Sequence, residues 1–238
     1  MAAPVPTPVS GFVLAGGRSS RMGRDKALLE LAGKPLVQHA VTKLRRLCGD
    51  VKILSAEPAL AAYAPLVPDV HPGCGPMSGV EAALIHSGTD WNLILPVDVP
   101  FLPTSLLNCW LGATLKEPAG RTRVSMLSVD GVAHPALLIL HKEMLPFLTY
   151  SLDRGHYRLL AALNYGAEKI AIREKVEMRE VFYKPQLDDP CTPFVDETGE
   201  VWGAKNDLRN GTSGLWFANL NTPEEFVEGE KFSSALDT

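Results

Sequence analysis

Short apolar runs alternate along the chain with longer segments in which apolar residues recur at helical spacing. The most strand-like run is WNLILPV at residues 91–97, and the clearest helical spacing follows Pro35, at positions 36, 37, 40, 41, 44 and 47. Further strands are predicted at residues 12–15, 51–55, 66–67, 124–129, 136–140, 170–172 and 215–218. Helices are predicted at residues 35–47, 59–63, 80–85, 104–115, 142–150 and 157–164. This alternation is typical of an α/β protein, a three-layer α/β/α sandwich with a mostly parallel sheet.

Turn and cap residues mark several ends of these elements. Asp130-Gly131 is a favoured tight-turn pair and predicts a hairpin between the strands on either side of it. Thr104 or Ser105 is the expected N-cap of the helix at residues 104–115. Thr222-Pro223 predicts the start of a last helix.

The length and composition fit one domain over residues 1–238. A chain of 238 residues with 46% hydrophobic content can bury one sizeable core. Residues 1–10 contain three prolines and are expected to be a loose tail. Residues 184–214 are rich in Pro, Gly, Asp and Asn and have little apolar periodicity, so they are predicted to be a long loop or an insertion.

Charge and hydropathy exclude several classes of protein. The net charge of −4 disfavours a nucleic-acid partner, which normally requires a basic excess. No run of eighteen apolar residues occurs, and the opening MAAPVPTPVS has neither a basic nor an apolar signal region, so we expect no membrane association and a cytoplasmic location. The four cysteines are scattered without a CxxC pair and are interpreted as reduced thiols.

The first predicted strand ends in a loop suited to bind anions. Gly16 and Gly17 allow backbone N–H groups to approach phosphate oxygens closely. Four cations follow within the next nine residues: Arg18, Arg21, Arg24 and Lys26. Neither the Walker pattern nor the GxGxxG dinucleotide pattern is present. The alternative is a solvated basic loop after an ordinary strand.

A second candidate feature is Asp98, at the end of the strand at residues 91–97. Ligands of open parallel α/β sheets collect beyond the carboxyl ends of strands, where this carboxylate would lie. Pro96 and Pro100 hold the segment extended, which makes the alternative, a helix cap, less favourable. A glycine-rich loop at residues 71–79 precedes the helix at 80–85 and either binds an anion or only connects two elements.

The run LAGGRSSRMGRDKALL at residues 14–29 resembles the signature of the molybdenum cofactor guanylyltransferases, the MobA family of molybdopterin nucleotidyltransferases. Its LAGG differs from the LAAG that is usual in the related cytidylyltransferases. Later segments resemble the family as well: GPMSG at 75–79, DVPF at 98–101, DGVAHP at 130–135 and NLNTP at 219–223. The resemblance covers most of the chain apart from residues 184–214.

The resemblance implies a Rossmann-like sheet of the nucleotide-diphospho-sugar transferase type. It also implies transfer of GMP from GTP to the phosphate of molybdopterin, with release of pyrophosphate. Such a transfer needs charge neutralisation and in-line positioning more than a covalent nucleophile. Arg21 and Lys26, with the amides of Gly16 and Gly17, are expected to hold the triphosphate, and Lys26 to stabilise charge on the transferring group. Asp98 resembles the family's metal-binding carboxylate and is expected to hold Mg²⁺.

The same resemblance assigns the remaining binding residues. Leu14 and Ala15 are expected to meet the base and the ribose. Asp69 resembles the family's guanine-side carboxylate and would accept hydrogen bonds from the guanine ring. Asn219 and Asn221 match the family's N-x-N-T-P motif and complete the predicted binding set.

Two further positions have more than one interpretation. The resemblance places His134 beside the pterin pocket, and a buried packing role suits a histidine there as well. Glu57 stands near a family position that contributes to nucleotide binding, where a different residue type is usual, so the recognition of the base is left open.

Three alternative functions accompany this prediction. A cytidylyltransferase is disfavoured by LAGG, and a sugar-nucleotide pyrophosphorylase by the short chain. A nucleotide-binding regulatory protein without catalysis is the alternative from another class. The expected partners are GTP and molybdopterin as substrates, and proteins that deliver or accept the cofactor as transient contacts of a monomer.

Overall fold

The computed structural model of the protein describes residues 8–16, 25–116, 120–129, 132–187, 194–195, 201–202 and 215–237. The strands are β1 (Val9–Leu14), β2 (Glu30–Leu31), β3 (Lys34–Pro35), β4 (Asp50–Leu54), β5 (Leu66–Val67), β6 (Trp91–Pro96), β7 (Val124–Val129), β8 (Val132–His141), β9 (Phe182–Tyr183), β10 (Gln186–Leu187), β11 (Phe194–Val195) and β12 (Val201–Trp202). The α-helices are α1 (Leu36–Leu47), α2 (Pro76–His86), α3 (Thr104–Leu115), α4 (Leu145–Asp153), α5 (Leu159–Glu174), α6 (Met178–Val181) and α7 (Pro223–Glu230). Short 3₁₀ helices cover Lys26–Leu28, Pro58–Ala62, Lys142–Met144 and Ser233–Ala235.

Eight of these strands form one sheet in the order β10-β7-β8-β6-β1-β4-β5, with β9 also paired to β7. Strands β5, β4, β1 and β6 run parallel to one another. Strand β8 is antiparallel to both β6 and β7, so β7 again runs parallel to β6. The predicted mostly parallel sheet is therefore confirmed. Because parallel strands end at the same edge, the loops after β1, β4, β5 and β6 meet there.

Alternating side chains build a separate core on each face of the sheet. Val13 belongs to a core completed by α1, α3 and the C-terminal segment. Phe12 and Leu14 point to the other face, where α2, α4 and α5 pack. Burial of both faces explains why the strand sequences are continuous apolar runs, as is usual for parallel sheets. The predicted three-layer sandwich is confirmed.

The strand predicted at residues 170–172 is wrong, because these residues lie in the last part of α5. The sequence Asn164-Tyr165-Gly166 resembles a helix end, and the helix prediction stopped there. In the structure, Gly166 instead permits close packing, since a Cβ at this position would lie 2.5 Å from Cε of Met144 and 3.0 Å from Cβ of Phe147. Ala167 and Ile170 continue the buried side of the same helix.

The strand predicted at residues 215–218 is also wrong. The segment forms a turn in which the amide of Ala218 donates to the carbonyl of Leu215 (3.0 Å), and Trp216 is buried in the core. The side of β7 that faces away from β8 is paired with β9 and β10. The apolar segment at residues 215–218 packs in the core on one face of the sheet instead. At the other end of the chain, β1 begins at Val9, so the predicted tail at residues 1–10 is too long.

The start of α3 has a cap that the sequence did not predict. Pro103 occupies the N-cap position, and neither Thr104 nor Ser105 caps the helix through its side chain. The amide of Thr104 instead donates to Oδ2 of Asp237 (2.5 Å). The same carboxylate pairs with the buried ammonium of Lys43. A residue near the end of the chain thus satisfies both a helix start and a buried charge.

The predicted hairpin between β7 and β8 and the predicted start of the last helix agree with the structure. Strands β7 and β8 pair antiparallel with Val129 opposite Val132, which confirms the hairpin, while Asp130-Gly131 lies outside the described residues. Thr222 caps α7 in a capping box with Glu225, as the sequence predicted. Strand β10 and the antiparallel pair β11–β12 lie within residues 184–214, of which the other parts largely fall outside the described residues. None of the described helices has the length and apolarity that crossing a bilayer requires.

Candidate functional site

The carboxyl ends of β1, β4, β5 and β6 meet at one edge of the sheet, where residues that follow β1, β4 and β5 surround a cleft of about 500 Å³. Each of three strands contributes the residues that directly follow it. The lining residues are Ala15, Gly16, Asp25, Ser55, Ala56, Glu57, Pro68, Asp69 and Pro72. A mixed polar and apolar lining of this size suits a small organic ligand.

Beside this cleft, Lys26 connects two distant parts of the chain. Its ammonium Nζ lies 2.9 Å from Oδ2 of Asp98 and 2.6 Å from Oδ1 of Asn221. The side chains of Lys26 and Asp98 are 15% and 26% exposed, so the pair is partly shielded and still reachable from solvent. A cation, a carboxylate and an amide therefore meet at the edge where parallel α/β sheets bind their ligands.

Local structure holds each member of this cluster in place. Lys26 begins the 3₁₀ helix that Asp25 caps by accepting a hydrogen bond from the amide of Ala27 (2.9 Å), and the buried Ala27 anchors that turn. The carbonyl of Asp98 accepts from the amide of Leu220 (3.1 Å), which fixes the segment that carries Asn221. The helix-cap interpretation of Asp98 is wrong, because α3 begins at Thr104 and has Pro103 at its N-cap.

Asp69 follows β5 and lines the cleft. Burial raises the pKa of its carboxyl, and a hydrogen bond from Ser78 partly offsets that rise. Helix α2 comes very close to this point because Gly79 has no side chain: a Cβ there would lie 2.7 Å from Cδ1 of Leu14 and 3.7 Å from Oδ1 of Asp69. The helix begins at Pro76 after Gly75, whose φ of 70° is unfavourable for other residues.

Only some of the remaining residues predicted to bind the nucleotide line the cleft. Ala15 and Gly16 line the cleft, whereas the side chain of Leu14 is buried against α2, and the contact of Leu14 with the base stays a prediction. Glu57 lines the cleft while its carboxylate accepts from the amide of Ala59 (3.2 Å). Four of the predicted residues of the basic loop lie outside the described residues: Gly17, Arg18, Arg21 and Arg24.

His134 and Phe217 form a ring pair toward the other side of the site. Their ring centroids are 4.9 Å apart with an interplanar angle of 37°. His134 lies near the start of β8, which is antiparallel to β6, so it shares the sheet edge of Asp98. Burial lowers the pKa of His134, which favours the neutral imidazole. The ring contact agrees with the packing interpretation, and Asn219 is exposed two residues beyond Phe217.

The sequence alone did not single out several residues of this site. Ser55, Asp25 and Pro72 line the cleft, although none was named as a candidate residue above. A polar residue at the carboxyl end of a predicted strand was the available signal for Ser55, whose hydroxyl accepts from the amide of Glu57 (3.1 Å). Asp25 caps the 3₁₀ helix at Lys26–Leu28, a role that suits an Asp directly before a helix start.

Comparison with known proteins gives a consistent result. The family model described as the MobA-like NTP transferase domain matches residues 11–168. A molybdenum cofactor guanylyltransferase from Serratia proteamaculans is 33% identical over 198 residues, which cover 80% of this chain and 96% of that protein. One from Vibrio atlanticus is 36% identical over 231 residues, which cover 94% of this chain and 96% of that protein.

A solved structure supports the same fold. The crystal structure of molybdopterin-guanine dinucleotide biosynthesis protein A from Archaeoglobus fulgidus matches with a TM-score of 0.66 and 20% sequence identity. The match covers 95% of this chain and 100% of that chain. This likeness confirms the nucleotidyltransferase type of α/β sandwich that the sequence predicted.

Proposed function

Because the chain belongs to the MobA-like NTP transferase family, we propose that it transfers GMP from GTP to the phosphate of molybdopterin. The relatives from Serratia and Vibrio, both named molybdenum cofactor guanylyltransferase, support this assignment over the cytidylyltransferase alternative. The matched residues 11–168 include Lys26, Asp69 and Asp98. The observation that carries the proposal is the cluster of Lys26, Asp98 and Asn221 beside the cleft.

The reaction is a nucleotidyl transfer. A phosphate oxygen of molybdopterin attacks the α-phosphorus of GTP, and a new oxygen–phosphorus bond forms. The bond from the α-phosphorus to the oxygen that bridges to the β-phosphate breaks, and pyrophosphate leaves with the electron pair. The attacking monoester is already anionic, so positioning and charge stabilisation are the main tasks of the protein.

Lys26 supplies the positive charge for the transferring group. Its ammonium is held beside Asp98 and Asn221, in a partly shielded position where an electrostatic interaction is stronger than in bulk water. When a triphosphate enters, the ammonium exchanges part of its contact with Asp98 for phosphate oxygens. Arg21 and the amides of Gly16 and Gly17 are proposed to hold the remaining phosphate charge.

Asp98 has the donor chemistry that Mg²⁺ requires. Lys26 contacts Oδ2 of this carboxylate, while no described residue makes a hydrogen bond to Oδ1. Within the described ranges, no group of three or more His, Cys, Asp or Glu residues could hold a metal by itself. This agrees with a hard cation bound through one carboxylate, water and phosphate oxygens. When bound, Mg²⁺ supplies neutralisation of the phosphate charge.

The two ends of the site are proposed to bind different parts of the substrates. Asp69 accepts hydrogen bonds from the ring N–H and the exocyclic amine of guanine, a donor pair that adenine and cytosine lack. Asn219, Asn221 and the His134–Phe217 pair stand on the side of Asp98 where the molybdopterin phosphate would enter. Ala15 and Gly16 line the cleft between the base and the phosphates.

A direct comparison of nucleotides tests this function. GTP, CTP, UTP and ATP are incubated separately with the protein, molybdopterin and Mg²⁺, and pyrophosphate and the dinucleotide product are measured. We expect turnover with GTP above the other three. Preferred use of CTP would indicate a cytidylyltransferase, and nucleotide binding without pyrophosphate release would indicate a regulatory protein.

A further inference from the structure

Glu81 is a buried carboxylate outside the cluster of Lys26 and Asp98. It lies in α2, and its side chain is only 1% exposed. A buried charge is costly unless hydrogen-bond partners compensate the lost hydration. Both oxygens of Glu81 have such partners: Oε2 lies 2.6 Å from Nδ1 of His71, and Oε1 accepts from the hydroxyl of Thr149 at 2.6 Å.

The contact with His71 holds the loop that carries Asp69. His71 lies two residues after Asp69 and directly before Pro72, and both of these neighbours line the cleft. Ser78, one helical turn before Glu81 on α2, donates its hydroxyl to the carbonyl of His71 (2.5 Å). Ser78 and Glu81 therefore both hydrogen-bond His71 of this loop from one face of α2.

Polar contacts are one restraint on this loop. Val70 is exposed, Cys74 packs against the core, and Gly73 and Gly75 both have positive φ values. The imidazole of His71 also lies between two carboxylates, because Nε2 is 3.6 Å from Oδ1 of Asp153. Two negative groups around one imidazole favour its protonated form, and the pKa of His71 is raised, mainly by the hydrogen bond with Glu81.

We infer that Glu81 and His71 are positioning residues for base selection: together they hold Asp69 where its carboxylate can accept both guanine donors. This inference rests on the proposed use of GTP. The contact with His71 joins the carboxylate of Glu81 to the loop, whereas the contact with Thr149 joins it only to α4. Loss of the His71 contact frees the loop, and the bidentate contact of Asp69 with guanine then weakens.

Paired variants of His71 provide the test. His71→Ala removes the donor to Glu81, whereas His71→Asn keeps an N–H donor near the Nδ1 position. The His71 side chain is 32% exposed, so both substitutions are compatible with folding. Dissociation constants for GTP, ITP and ATP are measured by calorimetry, since inosine lacks the exocyclic amine of guanine. Initial rates with molybdopterin give kcat and KM for GTP.

We expect His71→Ala to narrow the preference for GTP over ITP and ATP about tenfold, with KM for GTP raised and kcat at saturation near that of the parent. His71→Asn should restore most of the preference. Glu81→Gln keeps the shape of the side chain and removes its charge. This variant should also narrow the preference for GTP over ITP and ATP.

Thr149→Val is the matched control, because it removes a hydrogen bond from the same carboxylate without touching the loop. An unchanged GTP preference in folded His71→Ala, or equal losses in Thr149→Val and His71→Ala, overturns the positioning role. Absence of GTP turnover by the parent protein contradicts the proposed function instead. The calorimetric preference still tests the inference in that case.

Discussion

The ammonium of Lys26 lies 2.9 Å from Oδ2 of Asp98, although 72 positions separate the two residues in the chain. Lys26 lies in the 3₁₀ helix that comes next after β1 in the described chain, and Asp98 lies just beyond β6. Strands β1 and β6 are neighbours in the sheet. The pair places a movable positive charge beside a carboxylate suited to a metal. The first two predictions test the two members separately.

Lys26→Ala is expected to lower kcat by about 10²–10³-fold, as the loss of one transition-state donor does in other enzymes. Folding should change little, by about 1 kcal/mol or less, since a partly exposed ion pair contributes weakly to stability. Steady-state kinetics and urea denaturation check both parts. Lys231→Ala, which removes an exposed cation paired with Glu228, is the control and should keep full activity. Near-normal turnover of Lys26→Ala would exclude it from the site.

Asp98→Asn is expected to reduce turnover by on the order of a hundredfold and to weaken the response to Mg²⁺, because a neutral amide is a poorer ligand for a hard cation. A titration of initial rate against Mg²⁺ measures this. Asp50→Asn removes a carboxylate paired with Lys52 at the other end of β4 and serves as the control. An Mg²⁺ titration that matches the parent would rule out Asp98 as the metal ligand.

Asp69→Ala is expected to narrow the preference for GTP over ATP by roughly ten- to a hundredfold. A buried partner that the wrong base leaves unpaired costs about 1–3 kcal/mol, and the variant no longer has that partner. Competition assays with both nucleotides give the ratio, and the Mg²⁺ response should stay intact. If discrimination is unchanged, guanine is read by backbone groups of residues 14–16.

Gly79→Ala is expected to destabilise the fold by about 1–3 kcal/mol and to raise KM for GTP, because the added methyl group would overlap Leu14 and push α2 away from Asp69. Denaturation curves and initial rates check both effects. Gly112→Ala in α3 is the matched control, since no atom lies within 4 Å of its added Cβ. That variant should gain roughly 0.5–1 kcal/mol from helix propensity. A fully stable Gly79→Ala with normal KM would contradict the close approach.

The contact between His71 and Glu81 predicts a pH-dependent contribution to stability. The hydrogen bond with Glu81 raises the pKa of His71 above its ordinary value, and Asp153 adds to the effect. The contribution is therefore complete below the pKa of a histidine in the unfolded chain, about 6.5, and is lost as pH rises through the raised folded pKa. The free energy of unfolding of the parent minus that of His71→Asn, measured from pH 5 to 9, should decline with pH. A constant difference would show that the imidazole does not titrate in this range.

Sequence patterns determined much of the fold because the relevant signals are local. The apolar runs of β1, β4 and β6 and the helical spacing of α1 predicted elements within a few residues of their observed bounds. Capping chemistry gave the start of α7. Errors arose where a tertiary contact changed the meaning of a local signal. Gly166 resembles a helix end, but its role is to let α5 pass close to Met144.

In the candidate site, too, some features follow from local sequence and others only from the tertiary structure. The glycine loop, Lys26 and the position of Asp98 after a strand can be recognised from short motifs, because phosphate and metal chemistry require those residue types. The sequence does not predict the contact of Lys26 with Asn221, which spans 195 positions, or the hydrogen bond between Glu81 and His71. These contacts depend on which strand ends adjoin in the sheet and how closely α2 approaches them. Packing over the whole fold decides both, and no short stretch of residues encodes them.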